Sequence, residues 1–141
     1  MSVARHWLDK GIDGWRLDVP AEVPADFWVE FRQMVRSTNP EAWIVGEVWG
    51  DATTWLQGDH FDGVMNYRLG WSSICWAAGE TLRRDYRNSE YPLDPLDGQA
   101  LLTIWTTTTG SYREVVNRSQ MNLLDSHDVP RALHSLSLIH I

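Results

Sequence analysis

The sequence predicts an α/β fold built around a parallel β-sheet. Short apolar runs alternate along the chain with segments whose apolar residues recur every three or four positions, and this alternation is typical of parallel strands joined by crossover helices. Three of the apolar runs end in carboxylates, at Asp18, at Glu47 and at residues 125–128. Functional side chains collect at the carboxyl ends of parallel strands, so these acids are expected at one edge of the sheet.

The first half of the chain supplies two helix–strand pairs. Residues 3–10 are amphipathic and predict a helix, and residues 12–19 predict a strand. Residues 26–36 predict a second helix, because an apolar stripe that starts at Phe27 recurs at helical spacing. Residues 42–49 are almost continuously apolar, which predicts a strand that is buried on both faces.

The second half continues the alternation around one irregular loop that is rich in proline, aspartate and asparagine. Asp51 is expected to cap a short helix, and a longer helix is predicted in spite of two internal glycines. The predicted helices are 51–56, 69–84, 101–105 and 112–117, the strands are 61–67 and 121–125, and the loop is 88–98.

Two topologies are compatible with this alternation. One is an open, doubly wound sheet, which usually shows a glycine-rich phosphate-binding turn after its first strand. Here the first predicted strand continues into Asp18, Val19 and Pro20 instead. We therefore favour a β/α barrel, although four strands do not close a barrel that needs eight.

Composition excludes several classes of protein. The 141 residues carry a net charge of −7 without a basic run, which argues against nucleic acid as a partner. No apolar run is long enough to span a bilayer. The single cysteine, Cys75, excludes a disulfide framework and lies among apolar residues, as a packed side chain would. Without HExxH or CxxC patterns or clustered histidines, neither a metal nor a cofactor is expected.

Asp18 follows Arg16 by two positions in a predicted strand. Alternate residues of a strand face the same side, so the guanidinium can lie beside the carboxylate and stabilise its charge. An ionised and oriented carboxylate is what a nucleophile requires. A plain structural ion pair is the alternative interpretation, and the residue pair alone leaves both open.

Glu47 is a charged residue inside an apolar run that continues into Val48 and Trp49. Apolar surroundings favour the protonated form of a carboxylic acid, which general acid catalysis near neutral pH needs. In the alternative interpretation Glu47 pairs with an arginine or caps the next turn. Asp125 and Asp128 compete for the role of a third acid. Asp128 could instead cap a helix that starts near residues 129–130.

Together the acids favour glycoside hydrolysis. A retaining glycosidase needs an ionised nucleophile and a protonated acid/base whose carboxyl groups are about 5–5.5 Å apart. The chain contains nine tryptophans, and indole rings stack on sugar faces, although most tryptophans fill cores. Trp15, Trp49 and Trp55 are of interest because they lie beside the acids.

These motifs resemble those of a known family. The runs GWRLDV (14–19), VGEVW (45–49) and DSHD (125–128) resemble signature regions of the α-amylase family, glycoside hydrolase family 13, and FDGVMNY (61–67) is similar to its sixth barrel strand. The resemblance implies a partial (β/α)8 TIM barrel, in which the chain supplies strands four to seven with their helices.

The resemblance also implies roles for individual residues. Asp18 matches the catalytic nucleophile, Glu47 the general acid/base and Asp128 the acid that stabilises the transition state, so Asp125 is not the third acid. Arg16 matches the arginine beside the nucleophile, and His127 matches a substrate-binding histidine. Trp49 is also expected to bind substrate.

The subgroup is indicated by the run VPAEV (19–23). It is most similar to neopullulanases, cyclomaltodextrinases and maltogenic amylases, which carry glutamate at the position of Glu22. They usually have asparagine where this chain has Ala21, which leaves the acceptor-site preference open. The implied partner is an α-1,4-glucan such as maltodextrin, cyclodextrin or pullulan, cleaved through a covalent glycosyl-enzyme intermediate. The subgroup favours a cytoplasmic location and a homodimer when full length. Calcium is compatible with a full-length family member, but this segment does not support it.

The resemblance finally predicts that residues 1–135 are the central to C-terminal part of an incomplete catalytic barrel. Open sheet edges and an uncovered core face would then leave the isolated chain inactive. Residues 136–141 depart from the family and are predicted to be a non-native tail. The alternative function is a non-catalytic, amylase-like barrel that serves as a carbohydrate-binding or transport-partner module, although such proteins lose one or more of the acids. A tryptophan-rich carbohydrate-binding module would usually be all-β.

Overall fold

A computed structural model describes residues 1–137 of the chain. These residues form a four-stranded parallel sheet in the order β1–β2–β3–β4, so neighbouring strands are consecutive in the chain. The α/β class predicted from the sequence is confirmed. The strands are β1 (Gly14–Leu17), β2 (Trp43–Gly46), β3 (Gly63–Asn66) and β4 (Met121–Asn122).

Helices fill most of the connections between the strands. Every segment predicted to be helical contains a helix or a 3₁₀ turn, with different bounds. The helices are α1 (Ser2–Asp9), α2 (Ala25–Thr38), α3 (Tyr67–Ala78), α4 (Gly98–Gly110), α5 (Glu114–Arg118) and α6 (Ala132–Ser135), and the 3₁₀ turns are Pro20–Glu22, Thr53–Leu56 and Gly79–Thr81.

Two helix bounds differ from the prediction for identifiable reasons. The helix predicted over 69–84 ends at Ala78, because Gly79 takes a left-handed φ of +51° that stops an α-helix. The helix predicted over 101–105 runs from Gly98 to Gly110, because Asp97 accepts a hydrogen bond from the Ala100 amide at 2.7 Å and caps its start. The second half of this helix was not predicted, because residues 106–109 are four β-branched threonines, which have a low helix propensity.

The chain divides into two compact units. The first comprises residues 1–65 and 114–121, and its core lies where α2 meets the sheet. Trp28 and Phe31 are buried at this interface and pack edge to face, with ring centroids 5.6 Å apart. One member of the predicted stripe was wrong, since Phe27 is 38% exposed and Trp28, which is 6% exposed, is buried in its place.

A second feature of the first unit is an ion cluster on Asp62, just before β3. Its carboxylate accepts hydrogen bonds from Arg36 at 2.5 Å and from the Ile44 amide at 2.9 Å. Arg32 forms an ion pair with it at 2.9 Å. Asp62 therefore ties the start of β3 to both β2 and α2.

The second unit comprises residues 66–113 and 122–137 of the described chain. Tyr67 and Tyr91 are buried at its centre, edge to face at 6.0 Å, and the Trp105 indole donates to Ser72 Oγ at 3.1 Å between α4 and α3. Cys75 is buried as predicted, and desolvation raises the pKa of its thiol to about 11.

Two sequence-based expectations concern the ends and the membrane. No helix within residues 1–137 is long and apolar enough to cross a membrane. The predicted non-native tail covers residues 136–141, of which 138–141 lie outside the described residues.

Candidate active site

The sheet register places Asp18 and Glu47 side by side. Leu17 pairs with Gly46 at the carboxyl ends of β1 and β2, and each acid is the next residue along its strand. The Glu47 amide donates to the Leu17 carbonyl at 2.9 Å, so the ladder continues to the acids. Because neighbouring strands lie about 4.8 Å apart, the two carboxylates leave the sheet at adjacent points.

Arg16 contacts both carboxylates. Its Nη1 donates to Asp18 Oδ1, and its Nη2 lies 3.1 Å from Glu47 Oε1. The second contact is an ion pair without hydrogen-bond alignment, since Nη2 has no hydrogen-bond partner among the described residues. One guanidinium thus lies between the two acids predicted to act together.

Glu47 is buried, with 5% of its side chain exposed, but its surroundings are not purely apolar. The Trp49 indole donates to Oε1 and the Val19 amide donates to Oε2, both at 3.1 Å. The sequence analysis considered the apolar neighbours and a possible arginine partner, which is Arg16, but it missed these two donors, which come from residues that follow the strands. Their hydrogen bonds occupy two of about four acceptor positions of a carboxylate. Among the described residues, one position on Oε2 stays open.

Gly46 allows this packing directly before Glu47. A Cβ atom on Gly46 would lie 2.6 Å from Cδ2 of the Phe61 ring, which is closer than side-chain atoms approach. Phe61 is 1% exposed and has no free space to move into. Glycine at this position therefore allows the end of β2, directly before Glu47, to pack closely against the Phe61 ring.

Asp18 differs from Glu47 in accessibility. Its side chain is 75% exposed, against 5% for Glu47.

The next residue, Val19, has φ +36° and ψ +54° in the left-handed region. Such a conformation is rare for a β-branched residue and costs about 1–3 kcal/mol.

The three tryptophans noted beside the acids have different environments. Trp15 packs edge to face on Phe31 at 6.0 Å, and Trp55 stacks on Phe61 at 5.4 Å with 9° between the rings. These two are part of the apolar packing of the first unit, so the hypothesis that they form sugar platforms is not supported. Trp49 differs, because its indole reaches the Glu47 carboxylate.

In the second unit, Asp125 has a structural role. Its Oδ2 accepts a hydrogen bond from the Ala132 amide at 2.7 Å, and its Oδ1 accepts one from Arg131 at 2.9 Å. The Ala132 amide, together with the Arg131 guanidinium, lowers the pKa of this carboxyl below its usual value. Asp125 therefore holds the start of α6.

Asp128 has no such role. The helix that it could have capped begins at Ala132 rather than near residue 129, so the capping interpretation of Asp128 is wrong. Its carboxylate lies 3.2 Å from His127 Nε2. The Asp128 side chain is 36% exposed and the His127 side chain is 72% exposed. Its amide donates to Ser126 Oγ at 3.1 Å, and that hydroxyl lies 2.9 Å from the buried Tyr67 hydroxyl. The backbone is held while the two polar side chains stay available to a ligand.

The structure thus brings most of the predicted site residues together within their units. Arg16, Asp18, Glu47 and Trp49 form one cluster in the first unit, and His127 and Asp128 form a pair in the second. Glu22 is exposed at the end of the 3₁₀ turn that follows Asp18. The described residues contain no group of three or more histidine, cysteine or acidic side chains that could hold a metal ion.

The chain is similar to known proteins over most of its length. The family described as alpha amylase, catalytic domain, matches residues 1–138. Neopullulanase 2 of Thermoactinomyces vulgaris is 44% identical over 133 residues, which cover 94% of this chain and 20% of that protein. Cyclomaltodextrinase of Geobacillus thermopakistaniensis is 42% identical over 134 residues, with the same coverage of 94% and 20%.

A solved structure extends the likeness to the fold. The native debranching enzyme of Nostoc punctiforme matches with a TM-score of 0.92 at 41% identity, over 98% of this chain and 29% of that chain. The chain thus spans about a fifth of the length of the curated relatives that it matches.

Proposed function

Because this chain belongs to the α-amylase family of glycoside hydrolases, we propose that it carries the nucleophile and the general acid/base of a retaining α-glucan hydrolase. The observation that carries the proposal is the cluster in which Arg16 contacts both Asp18 and Glu47 at the ends of adjacent parallel strands. One guanidinium contacts both carboxylates and so keeps them near each other, and retaining enzymes need their two carboxyl groups about 5–5.5 Å apart.

In the first step the exposed Asp18 carboxylate attacks the anomeric carbon of the glucan. The bond from that carbon to the leaving glycosidic oxygen breaks, and Glu47 gives its proton to this oxygen. A covalent ester between Asp18 and the sugar results. Arg16 contacts the Asp18 carboxylate and orients it for attack.

In the second step Glu47, now a carboxylate, takes a proton from water or from a sugar hydroxyl. The resulting oxygen nucleophile attacks the same carbon and releases Asp18. Trp49, Val19 and Arg16 contact the Glu47 carboxylate from three sides and fix its orientation. An acid that serves in both steps must keep the same position between them.

We assign substrate contacts to four further residues. In the second unit Asp128 would accept hydrogen bonds from sugar hydroxyls and His127 would donate one, in agreement with their exposure. In the first unit Trp49 would contact substrate beside Glu47. Glu22, which is exposed after Asp18, would face an acceptor sugar. The relatives that this chain matches include a neopullulanase and a cyclomaltodextrinase. We therefore propose maltodextrins, cyclodextrins or pullulan as substrates, and residues 1–135 as part of the catalytic barrel.

Substitution of the two acids tests the proposal. In the full-length gene product, Glu47→Gln should lower kcat on maltotriose by about 10²–10⁴-fold, the usual contribution of general acid/base catalysis. A maltosyl fluoride needs no protonation of its leaving group, so the same variant should form the glycosyl-enzyme from it at nearly the normal rate.

Glu41→Gln is a matched control, because Glu41 is exposed on the other end of β2. It should retain wild-type turnover. Wild-type turnover of maltotriose by Glu47→Gln would refute the role of Glu47. A wild-type protein that binds maltodextrin without cleaving it would favour the non-catalytic module instead.

A further inference from the structure

The amide of Val19 belongs to the peptide group that directly follows the proposed nucleophile. It donates to Glu47 Oε2 at 3.1 Å. The donor can take this direction because Val19 lies in the left-handed region, with φ +36° and ψ +54°. One peptide group therefore joins the residue of Asp18 to the carboxylate of Glu47, and it does so in a conformation that valine avoids.

A strained residue keeps its conformation only when its surroundings impose it. Val19 is followed by the 3₁₀ turn Pro20–Glu22, in which the Glu22 amide donates to the Val19 carbonyl at 3.1 Å. The Pro20 carbonyl accepts a hydrogen bond from the Trp28 indole at 2.9 Å. Pro20 and Trp28 are both buried, so this bond is shielded from water.

Trp28 is itself held firmly. Its ring packs edge to face on Phe31 and Phe61, with centroids 5.6 and 5.8 Å away. These contacts fix the indole on α2, and the indole in turn fixes the Pro20 carbonyl one residue after Val19. Helix α2 is thereby connected through two hydrogen bonds and one strained residue to Glu47.

We propose that Trp28 and Val19 are positioning residues, which hold the Val19 amide on Glu47 and so set the orientation of this acid. The catalytic role of Glu47 rests on the function proposed above. The connection from Trp28 through Val19 to Glu47 does not depend on that function. Without the indole hydrogen bond, Val19 relaxes toward extended backbone and its amide turns away from Glu47. The carboxylate then loses one donor and keeps Arg16 and Trp49, with Asp18 as the nearby anion.

The loss has a defined kinetic signature. A hydrogen bond to a charged group corresponds to about a 10- to 100-fold effect, so kcat should fall by that factor while KM stays within about threefold. A general loss of folded protein would not be reversed by a second substitution that adds no contact, whereas a loss of positioning can be.

Three variants of the full-length gene product isolate the effect. Trp28→Phe removes the indole donor and keeps an aromatic ring. Trp15→Phe is the matched control, because the half-buried Trp15 packs on the same Phe31 ring and its buried indole nitrogen has no hydrogen-bond partner among the described residues. The double variant Trp28→Phe/Val19→Gly tests the strain itself, since glycine takes a left-handed conformation without cost and keeps its amide.

We expect Trp28→Phe to show the loss of kcat with nearly unchanged KM, Trp15→Phe to keep wild-type kcat, and the double variant to recover kcat to within about threefold of wild type. Wild-type kcat in Trp28→Phe would overturn the inference, as would a double variant that is folded but not rescued. If Trp28→Phe does not fold, an ester in place of the Val19 amide removes the donor alone, and unchanged kcat there would also overturn it.

Hydrogen–deuterium exchange at the Val19 amide separates this inference from the proposed function. We expect protection in wild type, exchange at least tenfold faster in Trp28→Phe, and restored protection of the residue-19 amide in the double variant. These results do not depend on any enzymatic activity. An amide that exchanges equally fast in wild type and Trp28→Phe would contradict the connection even in an active hydrolase.

Discussion

Substitution of Asp125 by alanine distinguishes a structural acid from the proposed catalytic acid Asp128, three positions away. Asp125 and Asp128 are the two candidates that the DSHD run offers for a third catalytic acid. The structure gives Asp125 two structural hydrogen bonds at the start of α6, whereas the carboxylate of Asp128 faces only His127 among the contacts described above. Asp125→Ala should therefore destabilise the fold and leave catalysis nearly intact.

The magnitude follows from the two contacts. Loss of the acceptor for the Ala132 amide corresponds to a lost helix cap, which costs about 0.5–2 kcal/mol. The ion pair with Arg131 adds only about 0.2–1 kcal/mol, because that arginine is 66% exposed. We expect a total near 2 kcal/mol for Asp125→Ala, and less for Asp125→Asn, because asparagine keeps an acceptor oxygen for the Ala132 amide.

Urea unfolding and maltotriose hydrolysis of the full-length gene product measure the two effects. Asp125→Ala should lower the free energy of unfolding with kcat within about threefold of wild type. Asp128→Ala should lower kcat by about 10²–10³-fold, as expected for an electrostatic stabiliser of the transition state, with a smaller change in stability. A loss of kcat in Asp125→Ala as large as in Asp128→Ala would refute this assignment.

The stability difference should also depend on pH. The pKa of Asp125 in the folded chain is below its ordinary value of 3.8. Its contribution is therefore complete above that ordinary value and is lost as the pH falls through the lower folded value. The stability gap between wild type and Asp125→Ala should be constant from pH 7 to pH 5 and should shrink below about pH 3.8.

Three further predictions follow from other contacts. Arg16→Lys should lower kcat about tenfold or more, because a single ammonium cannot reproduce the two-nitrogen contact with both acids; an unchanged kcat would contradict it. Asp62→Ala should lower the free energy of unfolding in urea by about 2–4 kcal/mol, since it leaves two partly buried arginines without their carboxylate. A loss below about 0.5 kcal/mol, which is typical of surface substitutions, would contradict a stabilising role of this ion cluster. Cys75, with its thiol pKa at about 11, should resist iodoacetamide at pH 8 when folded and react fully in denaturant, whereas rapid labelling of folded protein would show that it is accessible.

The sequence was sufficient to predict the α/β class, the order of the elements and the location of Asp18 and Glu47 at strand ends, because hydrophobic periodicity records which faces are buried. It also carried the family motifs. It was not sufficient for the helix end at Gly79, since a glycine in a helical pattern either continues or stops the helix, and only the observed φ decides between them.

Two functional features had no signal in the sequence. The left-handed conformation of Val19 contradicts the preference of valine, so propensity arguments could not find it. The donors on Glu47 come from a main-chain amide and an indole that meet only after the chain folds.

The sequence also did not show which aromatic residue at the start of α2 is buried. An apolar stripe at helical spacing can include either Phe27 or Trp28, and only Trp28 reaches the core.

The central claim is that Asp18 is the nucleophile, and trapping of the glycosyl-enzyme tests it most directly. A 5-fluoro-α-glucosyl fluoride slows the second step, so the ester accumulates and can be located by mass spectrometry. Trypsin cleaves after Arg16 and Arg32 and releases Asp18 within peptide 17–32. We predict one sugar on this peptide, and fragmentation that assigns it to Asp18. A label on Glu47 or on another acid of peptide 17–32 would contradict the account, as would steady hydrolysis without any labelled peptide.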